Sequence, residues 1–151
     1  MRHFLAFAAL FLAWSAHAQV DRSAYAPSTI EDAIVKMENS PGMKYNFDAA
    51  HSRYLLTAVF TGESRPLSAQ VRKYLETWVS VFRHPASYVD LFESEVAIQQ
   101  NGRQYWMPIQ QSLVEAFNLE VRPDRTVDLY VTAIGDHHEQ PVFLVNAFTA
   151  R

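Results

Sequence analysis

The residues with the densest capacity for chemistry are Asp136-His137-His138-Glu139, four consecutive groups that can each offer a lone pair to a metal ion. Neutral imidazoles and carboxylates both bind zinc and related ions. Adjacent side chains on a strand point to opposite faces, so this run becomes a site only if its loop turns both histidines inward and recruits another ligand. Asp136, His137, His138 and Glu139 are therefore the expected ligands of a metal-binding or hydrolytic reading, against the plainer one of a solvated polar loop. Asp48 and His51 are spaced to form an acid–base pair, with Ser52 or Ser112 as a nucleophile, if their loop folds back. No Gly-x-Ser-x-Gly elbow, His-Glu-x-x-His helix or phosphate-cradling glycine loop accompanies them. A non-catalytic protein without a cofactor is the better expectation.

A third constellation suits recognition rather than catalysis. Trp106, with Tyr88, Arg103 and Gln104 as its expected neighbours, offers a rigid ring among polar groups, which can stack on a sugar or anchor a protein segment at little entropic cost. These four are the candidate binding residues, unless a helix covers Trp106. Free strand edges are another mode of recognition, although Glu93, Glu95 and Pro108 read as devices that blunt an edge.

The N-terminus says where such binding would occur. Arg2 and His3 precede an apolar run from Phe4 to Trp14, and Ala16-His17-Ala18 supplies small residues for a signal peptidase. The run is too short to span a bilayer, which takes about 20 apolar residues. Cleavage near Ala18 and a periplasmic or secreted product are expected, with no integral membrane span. The chain has no cysteine, so neither disulfides nor thiol catalysis is available. Its net charge of −3 and lack of a Lys/Arg run argue against a nucleic-acid partner.

The elements that must position these groups can be read from periodicity. Ser28-Thr29-Ile30-Glu31 fits a capping box opening a short helix, whose apolar face is Ile30, Ile34, Val35 and Met37. Met43 to Phe47 and Tyr54 to Thr61 alternate as strands, with Gly62 to Pro66 as a loop. Leu67, Val71, Leu75, Trp78 and Phe82 make the main helical stripe, which places Trp78 in the core. Asn101-Gly102 predicts a two-residue hairpin turn that sets Ile98 opposite Tyr105, Val96 opposite Met107 and Ala97 opposite Trp106. A short helix follows from Ser112. Two further strands, Thr126 to Ile134 and Val142 to Phe148, flank a seven-residue polar loop. The final strand is apolar on both sides and needs covering twice.

These elements imply an α+β fold: a small, strongly curved antiparallel sheet or partly open barrel, one main packing helix and short accessory helices. The expected organisation is a signal peptide over 1–18, a flexible lead-in over 19–27 and one globular domain over 28–151. The function expected of it is that of an exported binding or accessory module whose partner is an envelope protein or glycan. A small metal-binding protein or hydrolase, and an inhibitor of a partner enzyme, are the alternatives.

Overall fold

The computed structural model describes residues 20–37 and 42–151. The expected leader and its cleavage site lie outside the described residues. After a 3₁₀ turn at Arg22–Ala24, the elements are β1 (Ala26–Ser28), α1 (Ile30–Lys36), β2 (Tyr45–Phe47), β3 (Arg53–Pro66) and α2 (Ala69–Val81). A second 3₁₀ segment, Ala86–Leu91, leads into β4 (Phe92–Gln100), β5 (Arg103–Gln110), α3 (Gln111–Glu120), β6 (Arg125–His137) and β7 (Gln140–Ala150).

β3 is the element that makes a barrel possible. Its first part pairs with β6 from Arg53↔Thr132 to Phe60↔Arg125, and its last part pairs with β4 from Val59↔Gln99 to Pro66↔Ser94. The two ladders meet at a bulge between Phe60 and Ser64, where Gly62 adopts φ +92°. A bulge bends a strand and strengthens its twist, which carries one strand round a corner. The stretch Gly62 to Pro66, expected as a loop, is thus the second half of this strand. Hairpins join β4 to β5 and β6 to β7, and β5 meets β7 in parallel at Ile109↔Val145. The ring β3-β4-β5-β7-β6 is therefore closed, where the sequence suggested an antiparallel sheet or partly open barrel. β1 adds to β3 in parallel and β2 adds to β6 antiparallel.

Helices seal what the strands leave open. α1 inserts the buried Ile30 and Ala33 into the main core, and its C-cap residue Met37 joins them there. Its N-cap is Thr29, whose hydroxyl accepts from the Asp32 amide at 3.0 Å, one residue beyond the expected Ser28. Ala33 therefore takes the inward position and Val35 is 82% exposed. α3 packs Phe117 edge-on against Phe60 and Phe148, with ring centroids 5.0 and 5.1 Å apart. α2 starts at a Ser68 cap and buries Tyr74, Leu75, Trp78 and Val79 over a second cluster with Ile134, Val142 and Leu144. β7 is thereby covered on both faces, Phe143 and Val145 belonging to the main core and Val142 and Leu144 to the α2 cluster.

Residues 25–28 lie against the barrel. Tyr25 is buried edge-on against Tyr130 at 5.4 Å, and β1 occupies the edge of β3 at Tyr54 to Leu56. Among the described residues, no helix is long and apolar enough to cross a membrane.

Candidate functional site

The β4–β5 hairpin has the expected register, Gln100↔Arg103 through Val96↔Met107, around Asn101 at φ +51° and Gly102 at φ +77°. Counting from that closing pair, the alternation of an antiparallel ladder turns the backbone of Gln104, Trp106 and Pro108 away from β4, towards β7. On β7 the same count from His137↔Gln140 turns Pro141 away from β6 and towards β5. A proline has no N–H to give to a ladder. The parallel β5–β7 pairing accordingly holds only at Ile109↔Val145, and below it the two strands flank a cleft of about 90 Å³.

Arg65, Glu95, Gln104, Tyr105, Trp106, His137 and Gln140 bring the polar and aromatic groups to this cleft, which Pro108 and Pro141 also line. The Arg65 guanidinium lies 3.9 Å from the centre of the Trp106 ring. Its Nε donates to Glu95 Oε2 at 3.0 Å, and the Ser68 amide at the start of α2 donates to the same oxygen at 3.1 Å. Glu95 is only 1% exposed, so its charge is compensated within the protein rather than by water. An edge-blunting role for Glu95 does not describe it. The carboxylate fixes the guanidinium plane against the indole and ties that pair to α2. Trp106 itself is half-buried, covered by an arginine rather than by the expected alternative of a helix.

The four expected binding residues divide. Trp106 and Gln104 line the cleft. Arg103 is exposed at the hairpin end, 3.9 Å from Glu31. Tyr88 packs elsewhere, with its ring 5.6 Å from Trp78 and 5.7 Å from His84. Arg65 and Glu95, which organise the cleft, were not recognised as site residues because one lay in a presumed loop and the other was read as blunting a strand edge.

The Asp136–Glu139 run also divides. β6 continues through His137, and His138 and Glu139, at φ +48° and +63°, form a two-residue turn in place of the expected seven-residue loop. Asp136 is buried, accepting from Asn46 Nδ2 at 3.1 Å and from the Glu139 amide at 3.2 Å. His137 turns inward against Tyr45 at 5.4 Å and reaches the cleft, whereas His138 and Glu139 are exposed. Among the described residues, no three His, Asp or Glu side chains gather as metal ligands, because strand alternation separates the neighbours.

Nor does the Asp48–His51 pair assemble as expected. Asp48 accepts from the Ala50 amide at 3.1 Å, and the His51 ring leans on α2 instead. His51 Nε2 accepts from the Trp78 indole N–H at 3.2 Å. Indole nitrogen only donates, which assigns the His51 proton to Nδ1 and keeps the ring neutral. The neighbouring His84 Nε2 is buried without a hydrogen-bond partner among the described residues. Ser52 offers its carbonyl to the Ala133 amide, and Ser112 lies on α3.

Burial, reinforced by His84 and opposed by Asp48, pulls His51 below the ordinary imidazole value of 6.5. Burial acts likewise on His137, reinforced by His138 and Lys44 and opposed by Asp136. With both folded-state values depressed, the unfolded chain binds more protons once the pH drops below about 6.5. Stability should be full above that pH and decline towards pH 5. Urea midpoints at pH 7.5, 6.5, 5.5 and 5.0 check this, and a His51→Gln/His137→Gln double variant should flatten the decline.

No family model matches the chain, and no curated protein matches it in sequence.

Proposed function

We propose that the protein is an exported, non-catalytic binding module that holds part of an envelope glycan in the cleft beside Trp106. The observation that carries this reading is the Arg65–Trp106 stack, anchored by buried Glu95 and flanked by the side chains of Gln104, Gln140 and His137. A flat aromatic-guanidinium platform edged by amides offers a sugar ring both a stacking face and donors and acceptors. Because Glu95 neutralises Arg65, the platform does not demand an anionic ligand. The cleft is small, so it suits one ring of a longer chain rather than a wholly enclosed molecule.

The fold supports the location. The order β3-β4-β5-β7-β6, with α3 between the third and fourth barrel strands, resembles the OB-type Greek-key barrel. Such barrels use the face of their second and third strands, and the loops after the first and fourth, to bind oligonucleotides and oligosaccharides. Here those parts are β4–β5, the α2 insertion and the His138-Glu139 turn, all of which border the cleft. This is an analogy of architecture, and the net charge of −3 favours a glycan over a nucleic acid.

The test is a tryptophan-fluorescence and NMR titration of the purified protein with soluble fragments of envelope polysaccharide, alongside a pull-down from the cell envelope. Saturable shifts at Trp106, Gln104 and Gln140 are expected. Trp106→Ala should weaken binding by roughly tenfold or more, as loss of a central aromatic anchor does. If no fragment perturbs Trp106 and the pull-down enriches no polysaccharide, the reading fails.

A further inference from the structure

We propose that a second cleft, formed by the end of α3, the start of β6 and the end of β7, binds a tetrahedral oxyanion of the phosphate-ester class. It measures about 160 Å³ and is lined by Arg122, Arg125 and Arg151 together with Thr126 and Glu120. The arginines form no basic run in the sequence; the fold assembles them. A turn closed by the Arg125 amide on the Arg122 carbonyl at 3.2 Å folds the first two together. The pairing Val127↔Ala150, extended by the Arg151 amide on the Thr126 carbonyl at 3.3 Å, brings the third alongside.

The charges in this cleft are unevenly compensated. Arg151 is held by Asp128, with Nε and Nη2 each 2.9 Å from Oδ2. Among the described residues, Arg122 and Arg125 have no ion-pair partner, and Glu120 is the one acidic residue lining the cleft. Guanidinium forks match pairs of phosphate oxygens, and a hydroxyl such as that of Thr126 can serve another oxygen. α3 ends here, and the partial negative charge of its C-terminus works against an anion. A ligand must therefore engage at least two guanidinia to be held, which favours a dianion over chloride or a monocarboxylate. The cleft shares no lining residue with that of Trp106, so neither reading depends on the other.

Inorganic phosphate is the first probe, titrated against the isotopically labelled protein at constant ionic strength with chloride as control. Saturable amide shifts confined to residues 120–126 and 149–151 are expected, and in R122Q/R125Q the affinity should fall by about tenfold or more, since hydrogen bonds to charged groups are the strong ones. Both arginines are exposed, and an unchanged melting temperature establishes that the variant is folded. Sedimentation with phosphatidylglycerol and phosphatidylcholine vesicles separates the sources. Arginine-dependent binding to the anionic vesicles identifies a lipid headgroup, and a response to free phosphate alone identifies a soluble ester. Absence of both responses, or responses that R122Q/R125Q leaves intact, overturns the proposal.

Discussion

Replacing Gly135 with alanine is expected to destabilise the protein by roughly 4 kcal/mol or more, from backbone strain, overpacking and a disrupted buried hydrogen bond together. Gly135 adopts φ +132°, a conformation that side chains rarely tolerate, at an irregularity in the β6–β7 ladder. A methyl group there would drive into the Asn46 carbonyl oxygen and come within 2.6 Å of the Tyr74 hydroxyl. Those two atoms are themselves bonded at 2.8 Å, and the same hydroxyl lies 3.0 Å from the Ile134 carbonyl. Tyr74 is the point at which α2 is fastened to β2 and β6, and burial pushes its hydroxyl far above the ordinary phenol value. The methyl would thus separate α2 from the strands that it covers.

Against a typical total of about 5–15 kcal/mol, such a loss leaves little margin, and a fall in melting temperature of about 10 °C or more is expected. If Gly135→Ala accumulates only as aggregate, Tyr74→Phe supplies the readable variant. It removes the hydroxyl without adding bulk and should cost about 1 kcal/mol. In that background the alanine penalty should shrink only in part, since the Asn46 carbonyl and the positive φ remain. A melting temperature for Gly135→Ala within a degree or two of the parent would show that β2 does not lie against Gly135 as described.

Gly135 also marks where the sequence stopped being legible. The Asn101-Gly102 hairpin could be read to the residue because both turn positions need positive φ and those two residue types supply it. His138 and Glu139 adopt the same backbone signs without either residue type that signals them, so a second tight hairpin passed for a long polar loop. Gly62 and Pro66 misled in the reverse sense. They punctuate most chains, but here Gly62 bends a strand through a bulge and Pro66 ends it.

Helix α2 was legible from its stripe, and the double covering of β7 from its two-sided apolarity. The closed ring was not. It is closed by one parallel ladder pairing, Ile109↔Val145, and the Gln110–Asn146 side-chain bond beside it, between strands whose own patterns are indifferent to their neighbours. The candidate cleft was half visible for a related reason: Trp106 and Gln104 advertise a binding face, whereas the burial of Glu95 depends on Arg65, thirty residues earlier. His137 could be recognised as chemically capable, but the three residues by which β6 runs on past Ile134 decide that it points inward and that His138 does not.

Truncating Trp78 to alanine should cost on the order of 3–5 kcal/mol, as expected for a large aromatic removed from a core. The indole is 3% exposed and packs beside Leu75 and Val79 in the cluster beneath α2. Its ring lies 4.6 Å from that of His84, 5.4 Å from His51, 5.6 Å from Tyr88 and 6.2 Å from Phe82, so the cavity would open among four rings. Phenylalanine separates the packing from the hydrogen bond. Trp78→Phe keeps an aromatic ring in place but deletes the N–H that His51 accepts, at an expected cost of about 1–2 kcal/mol including the smaller volume.

The same variant should change the response to acid. The Trp78 N–H can bond His51 only while Nε2 carries a lone pair, so it favours the neutral imidazole and helps to hold its folded-state value down. Without it that value moves back towards the unfolded one, and the difference in proton uptake between the two states narrows. Trp78→Phe should therefore be less stable than the parent at pH 7.5 yet lose less on going from pH 7.5 to 5.0. Urea unfolding of both proteins at the two pH values measures the cross-term directly. An equal acid-induced loss in parent and variant would detach His51 from Trp78, and a near-silent Trp78→Ala would remove the helix itself from the core.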